Sequence, residues 1–169
     1  MDSVEQKNPL HVSAEQGHTD VVQELLKAKA IIDQKSGQSY TTALHFASQN
    51  GQLPVMELLL NERASVDLDN SYGNSPLHTC CRQGSISGAL LLLERGASVT
   101  KFNRKGSSPL HFLCYDESPD SKKVSLARNL IQHCADVNAR DMRGMTPLLI
   151  ACATGRVDLI RVLIGIVVI

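Results

Sequence analysis

The stretch Ser75-Pro76-Leu77-His78-Thr79-Cys80-Cys81-Arg82-Gln83-Gly84 decides how the rest of the chain is read. Ser75 is a helix-capping residue, because its hydroxyl can accept a backbone N–H that the first helical turn leaves without a partner. Pro76 follows at the first helical position, where its missing N–H costs nothing. Leu77 begins an apolar face, and the small pair Cys80-Cys81 lets a neighbouring helix approach closely. Gly84 ends the helix by permitting a left-handed turn. The stretch predicts a short helix whose two ends are written into its own residues.

Four other segments share the pattern: Asn8-Pro9-Leu10-His11, Thr42-Ala43-Leu44-His45, Ser108-Pro109-Leu110-His111 and Thr146-Pro147-Leu148-Leu149. The shared Leu falls at 10, 44, 77, 110 and 148, at intervals of 34, 33, 33 and 38. Small residues follow again at Ser13-Ala14, Ala47-Ser48 and Ala151-Cys152, and Gly17, Gly51 and Gly155 repeat the stop signal. A second apolar stretch comes after each, marked by Leu25-Leu26, Leu59-Leu60, Leu92-Leu93, Leu130-Ile131 and Leu163-Ile164. One unit cannot bury both of its apolar faces, whereas stacked neighbours can. The expectation is an all-α solenoid of five stacked helix-turn-helix repeats.

A period near 33 with a Thr-Pro-Leu-His-type tetrapeptide resembles the ankyrin repeat, and the resemblance covers essentially the whole chain. It implies one array over 1–169, with repeats at about 3–36, 37–69, 70–102, 103–140 and 141–169. It also implies β-hairpin fingers projecting from links such as 66–74 and 137–145. In the family the tetrapeptide His bonds its own Ser or Thr and the neighbouring backbone, and Leu149 breaks that pattern in the last repeat.

Several departures from the pattern are informative. The link around Ser36-Gly37-Gln38-Ser39 carries one extra residue, and the fourth repeat carries five, near 117–121, between its two helices. Gly88 lies inside a second helix, at a cost of roughly 1 kcal/mol against Ala, and marks a soft point of the stack. The fifth repeat stops at Ile169 before its last turn closes, so a fragment, a short form with an alternative C-terminus, or an end covered by a partner is expected.

Composition narrows the function. Lys+Arg and Asp+Glu are both 17, and a formal charge of zero is a poor match for a nucleic-acid binder. The charge is nevertheless uneven, running from −3 over 1–33 to +4 over 101–169. Five cysteines and no signal peptide suit a reducing compartment, the cytoplasm or the nucleus. The apolar run Val162–Ile169 has eight residues, too short for membrane insertion. Cys81, Cys114 and Cys152 fall at one small-residue position and read as buried hydrophobes. Cys134 stands where a left-handed residue ends a second helix and reads as exposed. No C-x2-C pairing, phosphate loop, nucleophile elbow or H-E-x-x-H motif is present, so neither metal, cofactor nor catalysis is expected.

The resemblance implies binding through the first helices and the finger tips. Carried over repeat by repeat, the helix positions are Gln16, Gln49, Asn50, Arg82, Gln83, Tyr115 and Asp116. The finger positions are Tyr72, Asn74, Arg104, Lys105, Met142, Arg143 and Met145. Arg82, Lys101, Arg104, Lys105, Arg140 and Arg143 make the C-terminal part basic, so an acidic or phosphorylated protein segment is the expected partner. A monomer is expected unless the apolar C-terminal end mediates association.

Two modification sites are expected. Ser118-Pro119, in an accessible loop 115–121, fits proline-directed phosphorylation. Asp136-Val137-Asn138, with Leu130 eight residues before the Asn, is similar to ankyrin sites of asparaginyl hydroxylation in animals. The plainer reading of Asn138 is that it closes its own turn. Two functions stay open: a scaffold or adaptor module, and a substrate-recruiting module of a larger enzyme or receptor.

Overall fold

A computed structural model describes the backbone of residues 6–115 and 120–167, and the side chains of 6–115 and 123–165. Its helices come in pairs: α1 (Pro9–Gln16) with α2 (Thr19–Lys27), α3 (Ala43–Gln49) with α4 (Leu53–Asn61), and α5 (Pro76–Gln83) with α6 (Ile86–Glu94). The last two pairs are α7 (Pro109–Tyr115) with α8 (Asp120–Gln132), and α9 (Pro147–Ala153) with α10 (Val157–Val167). First helices pack in the order α1, α3, α5, α7, α9, and second helices in the order α2, α4, α6, α8, α10. The core lies between these two rows and repeats its composition, with Leu44, Leu77 and Leu110 from one row facing Leu59, Leu92 and Leu130 from the other. The all-α repeat solenoid expected from the sequence is the observed architecture.

Histidine holds each repeat to the next. His45 Nδ1 accepts the N–H of Thr42 at 3.3 Å, and its Nε2–H donates to the Asn74 carbonyl at 2.9 Å. His78 takes the N–H of Ser75 at 3.1 Å and donates to the Ser107 carbonyl at 3.1 Å. His111 repeats this with Ser108 and Met145, both at 3.1 Å. In the first repeat Asn8 takes the capping role, and His11 reaches the Gln34 carbonyl at 2.7 Å. A carbonyl can only accept, so Nε2 carries the proton and Nδ1 is left as the acceptor. Burial holds His45 and His78 at about 4, well below the ordinary 6.5, against the opposing pull of their carbonyl partners. At the fifth repeat Leu149 offers no such bridge: it is 47% exposed, and only the cap remains, with Thr146 Oγ1 accepting the Leu149 N–H at 3.2 Å.

The links between repeats are tight turns, and the β-hairpin fingers are not observed: no strand occurs among the described residues. Each turn closes on one residue pair, too short a register for a ladder. The Asn70 N–H donates to the Asn74 carbonyl, and Asn103 with Ser107 and Asp141 with Met145 repeat the bond. The side-chain Oδ1 of Asn70, Asn103 and Asp141 accepts two further backbone N–H groups from its own turn. Successive turns are then joined by single backbone bonds, Ser71 N–H to Ser39, Arg104 N–H to Tyr72 and Met142 N–H to Lys105, each at 2.8–3.0 Å. Glycine is required at this contact. Gly73 has φ +75°, and a Cβ there would lie 2.7 Å from the Arg104 nitrogen.

Three expectations are corrected. Gly88 is not a soft point: it is buried, and a Cβ would come within 2.9 Å of Ser85 Oγ, 3.1 Å of Cys80 Sγ and 3.3 Å of Met56 Cε. The space that Val55 and Leu159 fill at equivalent positions is taken here by the neighbours' sulfur-bearing side chains. Cys152 is exposed, unlike Cys81 and Cys114, because its side of α9 carries no following helix among the described residues. The loop expected over 115–121 is shorter than that, since Tyr115 closes α7 and Asp120 and Ser121 already belong to α8. Ser118 and Pro119 lie outside the described residues.

A second stitch joins the turns that follow the second helices. Asp33 accepts the Ser65 N–H, and Asp67 accepts the Ser98 N–H through both carboxylate oxygens, at 3.2 and 3.0 Å. The third repeat has Thr100 at this position, and among the described residues its hydroxyl meets only Ser98 Oγ of its own turn, at 3.3 Å. Among the described residues, the junction between repeats three and four therefore has no carboxylate stitch.

The buried neutral histidines set the pH dependence. Their folded-state values are depressed below 6.5, so the unfolded chain binds protons first. Stability is complete above pH 6.5 and is lost as pH falls towards 4. His45 and His78 each contribute on the order of 3 kcal/mol to this loss. Urea unfolding at pH 7.5 and pH 5 should show it, and His78→Gln should flatten the dependence. Gly73→Ala should cost more than about 1 kcal/mol from its left-handed backbone alone, measured the same way.

Candidate functional site

Between the first helices and the turns, repeats three to five enclose a concave pocket of about 590 Å³. α5 contributes Arg82, α7 contributes Phe112 and Tyr115, and the two adjoining turns contribute Asn103, Lys105, Ser107, Asp141, Met142 and Arg143. Phe112 stands edge-on to His78 at 5.2 Å and to Tyr115 at 6.5 Å, so the aromatic wall is fixed from both sides. Met142 is 77% exposed and forms an adaptable rim.

The polar end of the pocket is a three-residue clasp. Tyr115 Oη donates to Asp141 Oδ2 at 3.1 Å and accepts from Arg143 Nη2 at 2.6 Å. Arg143 also lies 5.9 Å from the centre of the Tyr115 ring and 3.6 Å from Asp141 Oδ2. Burial pushes the Asp141 carboxyl up, but the Met145 and Arg143 N–H groups, the Tyr115 hydroxyl and the Arg143 charge outweigh it and hold the carboxyl below its usual range. Burial, and then the hydrogen bond to Asp141, raise Tyr115. The hydrogen bond with Tyr115 raises Arg143. All three therefore keep their ordinary charge states, and the clasp acts as a fixed structural unit.

Arg82, Lys105, Tyr115, Met142 and Arg143, singled out from the sequence, meet in this pocket. Gln16, Gln49 and Asn50 are exposed at the N-terminal half, away from it, and Tyr72, Gln83 and Arg104 are exposed but do not line it. Asp116 lies outside the described residues. Three of the chosen residues are not spare surface. Asn74 Oδ1 accepts from Asn103 Nδ2 at 2.8 Å, tying turn to turn. Asn50 Nδ2 is spent on the Phe46 carbonyl at 3.0 Å, and Met145 is half-buried against the core. The basic surface is also smaller than its residue count suggests. Lys101 pairs with Asp69 at 2.9 Å and donates to the Asp67 carbonyl, while Arg143 is held in the clasp. Arg82, Arg104 and Lys105 have no acidic partner among the described residues.

Sequence reasoning missed Phe112 and Asp141. Phe112 occupies the same repeat position as Phe46, whose ring lies 5.5 Å from His11 of the preceding repeat, as that of Phe112 lies against His78. Asp141 is the turn residue equivalent to Asn70 and Asn103, and only its contact with Tyr115 gives it a second role. Asn138 is exposed, and its N–H donates to Asp136 Oδ1 at 2.9 Å within its own turn.

Family comparison agrees with this architecture. A family model described as ankyrin repeats (3 copies) matches residues 10–103, and another, described as ankyrin repeats (many copies), matches 120–164. The chain belongs to the ankyrin-repeat family. It is 30% identical to an ankyrin repeat protein of Fowlpox virus (strain NVSL) over 164 residues, covering 95% of this chain and 37% of the viral protein. It is 36% identical to a transient receptor potential cation channel subfamily A member 1 homolog of Caenorhabditis elegans over 70 residues, or 41% of this chain and 6% of the channel. The palmitoyltransferase ZDHHC13 of Homo sapiens is 35% identical over 69 residues, 41% of this chain and 11% of the transferase. The chain thus spans well under half the length of these relatives. Ankyrin repeats generally mediate protein–protein interaction and are typically non-catalytic. No group of three or more His, Cys, Asp or Glu among the described residues could hold a metal ion, and no described helix is long and apolar enough to cross a membrane.

The clasp yields a ranked pair of outcomes. Asp141→Ala should cost about 2–3 kcal/mol, because it removes a charged acceptor from two backbone N–H groups and from Tyr115. Tyr115→Phe should cost about 1 kcal/mol. Thermal unfolding of the two variants tests the order; equal losses would show that the turn does not rest on Asp141.

Proposed function

We propose that this ankyrin array is a protein-interaction module, a scaffold or adaptor that takes a segment of a partner protein across its first helices and turns. The pocket of repeats three to five provides the firmest grip. The observation that carries this reading is the pocket's combination of a fixed aromatic wall with cations that have no acidic partner among the described residues. Large aromatic side chains, Met and Arg are the residue types concentrated at the centres of protein interfaces. The titrating groups of the clasp support binding over catalysis, since none is shifted towards neutrality, where a general acid or base is most useful. Arg82, Arg104 and Lys105 give the surface a preference for acidic or phosphorylated segments. Its cysteines suit the cytoplasm or nucleus. Asn138 and Ser118 remain candidates for modification.

A second reading is favoured by the channel and the palmitoyltransferase among the relatives. In it, the same surface recruits a partner or substrate to a larger protein whose activity lies outside these residues. Both readings make the same demand on the surface. Arg104→Glu with Lys105→Glu should slow association with a partner isolated on the native chain and weaken its salt dependence, read by surface plasmon resonance at two salt concentrations. Unchanged affinity would move the binding surface elsewhere.

A further inference from the structure

We infer that the pocket of repeats three to five receives one large apolar side chain, aromatic or long aliphatic, from a peptide segment that carries an anionic residue beside it. This rests on the protein-binding reading above. Shape and apolarity come from the floor. Phe112 is half-buried and pinned edge-on between His78 and Tyr115, so the wall cannot collapse inward to fill the space. Met142 lines the same pocket, is mostly exposed and can close over side chains of different outline. A rigid aromatic wall together with a flexible thioether fits an apolar anchor of variable shape better than a polar group.

The neighbour's charge follows from how the cations at the pocket are divided. Arg143 is already engaged by Asp141 and Tyr115, and covers the Tyr115 ring. Arg82 and Lys105 line the same pocket from a helix end and a turn, with no acidic partner among the described residues. Among the described residues that line the pocket, three cations stand against the single carboxylate of Asp141, an excess of positive charge beside the apolar wall. An anchor with an acidic neighbour satisfies both features at once. Basic neighbours would meet like charge, and wholly uncharged segments would leave the rim uncompensated. Carboxylate and phosphate share the chemistry required.

Selection of random dodecapeptides on phage against the folded chain, followed by fluorescence anisotropy of the selected peptides, tests the inference. The expected consensus places Phe, Tyr, Leu or Met next to Asp or Glu. Replacing the anchor by Ala, or the acid by Gln, should weaken binding about tenfold or more, and phosphoserine in place of the acid should retain it. Met142→Asp should abolish binding without moving the thermal midpoint, because Met142 is a surface side chain. Lys105→Glu should weaken it about tenfold. A consensus with basic or neutral flanks, a failure to select any peptide, or binding indifferent to Met142→Asp and Lys105→Glu would overturn the inference. Photo-crosslinking from Gln49, Arg82 and Met142 in cells separates the two levels. Capture only from Gln49 leaves the protein-binding reading standing without this pocket, and capture from none removes both.

Discussion

Repeats two, three and four each depend on one neutral imidazole. The ring accepts the N–H at the start of its own helix and gives its single proton to a carbonyl in the next turn. This bond fixes the position of each turn relative to the helix behind it, and the apolar rows then pack with little freedom left. The arrangement works only while the imidazole is uncharged, because a second proton on Nδ1 would confront a backbone donor. Desolvation in the stack keeps it neutral. A bond that needs burial, and that in turn positions the layers providing the burial, makes neighbouring repeats cooperative.

The candidate pocket inherits its order from those bridges. His78 holds the Ser107 carbonyl and His111 the Met145 carbonyl, so the turns flanking the pocket are set by histidines of the repeats before them. On that frame, side chains that are equivalent by repeat position diverge in role. Asn70 closes its own turn, and Asn103 closes its turn and ties it to Asn74 of the turn before. Asp141 closes its turn with one oxygen and gathers Tyr115 and Arg143 with the other. A carboxylate where the equivalent turns carry an amide lets one residue both close its turn and order the pocket wall.

Much of this was legible in the sequence, because the repeat period ties each residue type to a physical role: Pro76 to a helix start, Gly84 to its end, His78 to the bridge. The pocket was half legible. Arg82, Lys105, Tyr115, Met142 and Arg143 could be placed by period alone, but Phe112 and Asp141 could not, since their contribution is to contacts between repeats. The same blindness explains the errors. Gly88 looked costly within its own helix, yet Met56 and Cys80 of adjoining helices fill its space. Lys101 counted as a free cation until its pairing with Asp69 across a turn was seen. The β-hairpins failed on length, as one closing pair per turn cannot sustain strands.

Thr100 leaves the junction of repeats three and four without the carboxylate stitch that Asp33 and Asp67 supply before it. The pocket lies across that same junction, with Arg82 on one side and Met142 and Arg143 on the other. A segment bound in the pocket would bridge a junction that has no such stitch among the described residues. Binding there would link ligand and fold thermodynamically. An occupant that grips both sides draws the two halves of the solenoid into one unfolding unit, and by mass action its affinity is reported directly as resistance to unfolding.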